Sequence, residues 1–353
     1  MKTVPALLAS LSLGLALHAE PEKTVTYRVE QNVTLTDIPA GAKHVKLWIS
    51  IPDNERYQDV LDFAVVSAPG KWSVVREPDR GNRFMLLEAV NPGAGQLTAK
   101  VAFTLRRRSV FTAIDPAQVG VITDSHRTLY AEELRPDAPH MKVTPRLARM
   151  AAEAVGGETN VATRAQKLLA AVADYADHYS KDPTKPSCGI GDAEDCLANA
   201  GGCCTDLHSM FIAMARAQGI PARLQMGYRL REPNAGKEVD PGYRCWAEYF
   251  VPNYGWVSAD IVEADDPKGL GRTRWFTGLT ERRLWLNEGR EFKLAGSAHP
   301  DDRVNTMIIG YAEIDGVPAR VLPDDALGLK AQLWRTVKYT EVTPEAATKV
   351  AAK

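Results

Sequence analysis

Gly201-Gly202-Cys203-Cys204-Thr205-Asp206-Leu207-His208 is the stretch on which the reading of this chain turns. It joins a polar, Pro/Gly-rich loop, Ser180 to Gly202, to an apolar run. Leu207, Met210, Phe211 and Met214 recur at helical spacing and make one apolar stripe. Gly219 and Pro221 stop the helix. A thiol, Cys204, therefore opens a buried helix. The helix dipole and the free backbone N–H groups at that end favour a thiolate. The same N–H groups can hold the oxyanion of an acyl-transfer intermediate. Gly201 and Gly202 leave room for a substrate to approach the backbone.

Downstream the pattern changes to strands: Ala222 to Leu230, Tyr243 to Val251, and Trp256 to Val262. Asn253-Tyr254-Gly255 is the turn between the last two. A helix followed by an antiparallel meander is an α+β core. Cysteine, then a strand, then Asp260 is the chain order of a thiol triad, in which a base activates the nucleophile and a carboxylate orients the base. Upstream, Ala162 to His178 carries apolar residues at helical spacing. Residues 22–110 alternate instead with period two, as in Thr24 to Val29, His44 to Ile49 and Leu97 to Leu105, and turns punctuate them. Short strands with regular turns predict a small β-sandwich, which holds no acid/base cluster and so serves support or recognition. From about residue 300 come short strands, Met307 to Ile314, an Asp315-Gly316 hairpin turn and a polar tail.

Several segments in order resemble the transglutaminase-like superfamily, whose core is papain-like. They are Cys204 to Ile212, Gly219-Ile220-Pro221-Ala222-Arg223, Cys245-Trp246-Ala247-Glu248-Tyr249 and Tyr254-Gly255-Trp256-Val257. The N-terminal strands, with Leu47 to Pro52, resemble the domain that precedes the core in bacterial secreted members. The resemblance spans most of residues 22–320. It implies an α+β fold in which the helix bearing the cysteine packs on an antiparallel sheet, preceded by a small β-sandwich. The expected division is 1–19 signal peptide, 20–110 β-sandwich-like N-terminal domain, 111–300 transglutaminase-like core, and 301–353 C-terminal strands and polar tail. The resemblance also implies Cys204 as nucleophile, Asp260 as orienting carboxylate, and thiol acyl transfer or hydrolysis on peptide or amide bonds, with no cofactor and no metal.

One position departs from the family pattern. Histidine is wanted immediately before Cys245-Trp246, and Arg244 stands there. Arginine stays protonated and cannot act as a general base. The loss of a positioned acid–base group costs about 10²–10⁴ in rate. The alternative reading is thus an inactive module that binds a peptide or carboxylate ligand, to which Arg244 could offer a bidentate grip. His208, one turn below Cys204, and His178 are the remaining histidines near the motif, and a packed, hydrogen-bonded role suits His208 better. Asp206 reads as a first-turn carboxylate. Arg244 is expected to pair with Glu248 or Asp260, Arg223 to be structural, and Trp246 and Trp256 to belong to the core.

Composition is that of a soluble globular chain: 353 residues, 45% apolar, 25% charged, net charge −1. Near-neutrality offers no bulk attraction to nucleic acid or anionic membrane. Lys2, the apolar stretch Ala6 to Leu17 and Leu17-His18-Ala19 before Glu20 read as a cleaved export signal, which predicts a periplasmic or secreted protein without a membrane anchor. In an oxidising compartment five cysteines leave one unpaired. With Cys204 free, three pairings of the others remain. Cys188–Cys196 and Cys203–Cys245 are the favoured pair, although on a strand Cys245 points away from the side of residue 244. No paired CxxC clip favours structural zinc.

Overall fold

The computed structural model describes residues 23–187, 190–240, 242–266, 269–320 and 329–343. The export-signal reading of residues 1–19 lies outside them. Six strands open the chain: β1 (Thr24–Ile38), β2 (His44–Ser50), β3 (Gln58–Ser67), β4 (Lys71–Arg76), β5 (Arg83–Val90) and β6 (Gly95–Arg108). Their alternation is visible in burial: in β1, Tyr27, Val29, Val33 and Leu35 are buried while Arg28 and Thr34 are only partly so. The helical region follows, with α1 (Asp124–Leu129), α2 (Pro145–Val155), α3 (Val161–Tyr175), α4 (Ala193–Asn199) and α5 (Cys204–Ala217). Next come β7 (Ala222–Arg229), β8 (Tyr243–Val251), β9 (Gly255–Ala259), α6 (Ile261–Ala264), α7 (Arg272–Trp275) and β10 (Arg283–Glu288). The last strands are β11 (Tyr311–Ile314), β12 (Val317–Arg320) and β13 (Leu329–Val342).

The core sheet runs β9-β8-β7-β10, and each neighbouring pair is antiparallel. Its register sets Arg244 opposite Gly227 and Cys245 opposite Met226. α5 lies against β7 and β8 and is also packed by α2, α3 and α4. Cys204 through Arg216 are all buried, so α5 is apolar and covered on every side rather than along one stripe. This suits a helix enclosed by other elements.

The second sheet follows the order β3-β6-β1-β13-β12-β11-β2-β5-β4. The C-terminal strands thus sit in the middle of the N-terminal ones: β1 pairs with β6 on one side and β13 on the other. Asp315 and Gly316 both have positive φ, 50° and 80°, as the two-residue hairpin between β11 and β12 requires. Three segments differ from the sequence expectation. The stretch after the hairpin, expected to be a polar tail, contains the 14-residue strand β13. α3 ends at Tyr175, and Asp177–His178 forms a short parallel bridge with Gly201–Gly202. The loop from Ser180 to Gly202 contains a helix, α4, started by Asp192, whose carboxylate accepts from the N–H groups of Glu194 and Asp195.

Candidate active site

Cys204 is the first residue of α5 and is 3% exposed. The preceding backbone is tied down: Cys203 N–H donates to Asp206 Oδ2 at 2.8 Å, so Asp206 closes the helix start as expected. The two glycines serve this closure. A Cβ on Gly202 would lie 2.7 Å from Asp206 Oδ2, and one on Gly201 would lie 2.5 Å from the Asp177 carbonyl oxygen. Their bareness lets the chain pass between His178 and the helix.

Asp260 directly follows β9 and is wholly buried. Its Oδ2 accepts from Arg283 at 2.8 Å, and its Oδ1 accepts from the Glu263 N–H at 3.2 Å, starting α6. Burial would raise this carboxyl, but Arg283 and Arg244 outweigh burial and hold it below the usual carboxylate range. Glu263 is the second buried anion. Arg229, Arg283 and Arg244 approach its Oε1 at 2.8, 3.2 and 3.5 Å.

Arg244 is 8% exposed and belongs to this cluster. Its carboxylate partner is Glu263; the expected pairing with Glu248 does not form. Glu248 is engaged by Arg223 at 2.8 Å, by Gln225 and by Ser258. Burial works against the Arg244 charge, yet the carboxylates of Asp260 and Glu263 more than compensate and hold the guanidinium firmly protonated. On the thiol side, burial pushes Cys204 well above its usual range, against the pull of Cys203 and Arg244. At rest the site holds a neutral thiol beside a fixed cation.

The two histidines are placed plainly. His208 is fully buried, its Nδ1–H donating to the Cys204 carbonyl at 2.6 Å and its Nε2 accepting from the Ile261 N–H at 3.1 Å. Both nitrogens are occupied, and burial keeps the ring neutral. His178 stands opposite Gly202 in the parallel bridge. Its Nδ1 accepts from the Ser180 N–H at 3.2 Å. Burial, helped by Arg244, pushes its pKa down to about 4.

Cys203 and Cys245 are not joined: no disulfide links Cys196, Cys203, Cys204 and Cys245 to one another. Cys245 turns into the helix side of the sheet, where its Sγ lies 3.6 Å from Thr205 Oγ1 and from His208 Nδ1. Cys203 Sγ instead meets Tyr243 OH at 2.9 Å. The alternation of β8 sends residues toward α5 in turn, and Cys245 meets Thr205 and His208 before it could meet Cys203. Cys188 lies outside the described residues, so its pairing with Cys196 does too. Trp246 is buried, whereas Trp256 is half-buried under the Arg223 guanidinium, 4.1 Å from its ring. Arg229, Glu263 and Arg283 are site residues that the sequence reading missed.

A thiol at the start of a buried helix, set against an antiparallel sheet whose third strand in sequence delivers a carboxylate, defines a papain-like thiol fold. Residues 148–261 match the model of the transglutaminase-like superfamily, so this part of the chain is a transglutaminase-like domain. The chain is similar to an uncharacterized protein of Haemophilus influenzae, 25% identical over 319 residues, which cover 80% of this chain and 84% of that protein. Among solved structures it resembles a candidate cysteine protease of Cytophaga hutchinsonii, with a TM-score of 0.59 and 15% identity over 92% of this chain and 93% of that one. The periplasmic domain of TgpA from Pseudomonas aeruginosa is a more distant match, with a TM-score of 0.32 and 18% identity over 72% of this chain and 91% of that one. No helix among the described residues is long and apolar enough to cross a membrane.

Proposed function

We propose that this chain is an exported transglutaminase-like protein whose thiol cleft binds a peptide or carboxylate ligand and does not turn over amides. The observation that carries the reading is Arg244. It stands where the family pattern wants the base, is buried, and is held charged by Asp260 and Glu263. A guanidinium cannot accept the thiol proton, nor give one to a leaving amine. His208 cannot stand in, because both its nitrogens are committed.

The ligand class follows from charge. Arg229, Arg244 and Arg283 face two carboxylates, Asp260 and Glu263, which leaves one cation in excess. A peptide carboxylate would neutralise it, and the Arg229 side chain, 30% exposed, is the accessible member.

The test compares native protein, Arg244→His and Cys204→Ala on a panel of peptide amides. The native chain is expected to show no turnover above the Cys204→Ala background. Arg244→His is expected to gain about 10²–10⁴ in rate, the usual worth of a positioned acid–base group. Native turnover that disappears in Cys204→Ala overturns the proposal and restores a thiol hydrolase or acyl transferase. Export is tested by the mass of the mature chain, which should begin at Glu20.

A further inference from the structure

Three thiols meet at the start of α5, and amide chemistry needs only one. Both Cys203 and Cys245 lie near enough to the Cys204 thiol to perturb its acidity. Cys245 comes from β8 and points at the first turn of α5, 3.6 Å from Thr205 Oγ1 and His208 Nδ1. Cys203 is otherwise engaged, with its Sγ on Tyr243 OH. Cys203 and Cys204 are also poorly placed to join each other. Consecutive Cα atoms lie ~3.8 Å apart, short of the ~4.4–6.8 Å that disulfides span. A strand cysteine facing a helix cysteine has no such restriction.

We infer that Cys204 and Cys245 form a reversible dithiol–disulfide pair, a redox modification site whose co-reactant is a small disulfide of the glutathione type. Cys204 is the first to react, being 3% exposed where Cys245 is 0%. Its thiolate attacks one sulfur of the oxidant, RSSR, forming a Cys204–S–S–R mixed disulfide and releasing RS⁻. The Cys245 thiolate then attacks the Cys204 sulfur and expels the second RS⁻. Two protein thiols lose two electrons and two protons, and one RSSR becomes two RSH.

This chemistry suits the residue that spoils the triad. Thiol–disulfide exchange needs a thiolate but no general base aligned on a substrate. The Arg244 charge favours the Cys204 thiolate, though burial outweighs it. Exchange should therefore be slow at neutral pH and speed up as pH rises. The inference stands on the placement of Cys245 against the first turn of α5 and holds whether or not the cleft turns over amides.

The test equilibrates the native full-length chain in glutathione buffers from fully reduced to fully oxidised. Free thiols are then trapped by alkylation, and the digested peptides are sequenced by fragmentation. The expected result is a cross-link between Cys204 and Cys245 that grows with oxidised glutathione and with pH, and that dithiothreitol reverses. Cys203→Ser, which keeps a good helix-start residue, should leave the cross-link intact. Cys245→Ser should abolish it and leave Cys204 as a glutathione mixed disulfide. Recovery of Cys204 and Cys245 as alkylated thiols in fully oxidised glutathione overturns the inference, as does a Cys203–Cys245 cross-link. Neither result bears on amide turnover, so this failure and that of the proposed function are distinguishable.

Discussion

At the residue scale the centre is a contest over charge. Arg244, Arg283 and Arg229 surround Asp260 and Glu263, and the two histidines beside them are kept neutral by burial. That neutrality has a pH consequence. His178 has a folded pKa of about 4, below the ~6.5 of an unfolded chain. Above about pH 6.5 both states are neutral and its contribution to stability is fully present. As pH falls from there toward the folded value, only the unfolded state takes up the proton, and that stability drains away. The loss is a few kcal/mol at most, because a tenfold difference in proton affinity between the two states is worth about 1.4 kcal/mol. Denaturant midpoints taken between pH 7 and 4 should fall for the native chain and fall less steeply for His178→Gln. His208, pushed in the same direction, and carboxylates held below their usual range, such as Asp260, supply the remaining slope. Equal slopes for the two proteins would show that His178 is not held neutral. Cys204 and Asp260 were legible as residue types in a recognisable order. Arg229, Glu263 and Arg283 were not, because nothing local marks them: each is an ordinary charged residue whose meaning comes from strands brought together in the fold.

Elements explain why the thiol end of α5 is so firmly placed. The Asp177–His178 bridge to Gly201–Gly202 brings a second chain segment against the helix start, and Asp206 closes the first turn through Cys203 N–H. Gly202 is the pinch point, with φ +158° and an Asp206 carboxylate where its Cβ would go. Gly202→Ala must push Asp206 off the Cys203 N–H. Loss of such a cap costs about 0.5–2 kcal/mol, and backbone strain adds about 1–3 kcal/mol. A drop in stability of about 1.5–5 kcal/mol in urea unfolding is the expected outcome. A change under about 0.5 kcal/mol, the range of an ordinary surface substitution, would mean that the glycine is dispensable. The sequence read α5 and its neighbouring strands from periodicity, but assigned Gly201 and Gly202 to substrate approach. Their internal role depends on a bridge between segments 24 residues apart, from Asp177 to Gly201, which periodicity does not register. α4 was hidden inside a loop by its shortness, although Asp192 followed by Glu194 and Asp195 is a helix-start signal.

The whole molecule is closed by its own C-terminal strand. β13 lies between β1 and β12 in the larger sheet, so residues far apart in sequence share one ladder, Val29 facing Tyr339 and Leu35 facing Leu333. Its inward residues Leu333, Val337 and Tyr339 are buried to within 3%. The alternation of this strand is present in the sequence, but Arg335 interrupts it at an inward position. That arginine is accommodated by the Ile308 carbonyl and Asp240, partners that only the fold supplies. Deleting the chain after residue 320 would remove β13 and leave the ladder partners of β1 open on that side. Burial of large apolar side chains is worth about 1.5–3 kcal/mol each, so the three inward residues alone account for about 5–9 kcal/mol. This is comparable with the whole stability of a typical domain, about 5–15 kcal/mol. The truncated chain should therefore lose its cooperative thermal transition, whereas removal of the residues after Val342 alone should leave that transition within a few degrees of native. A truncation at residue 320 that still melts cooperatively near the native temperature would show that the N-terminal strands and the thiol core stand without it.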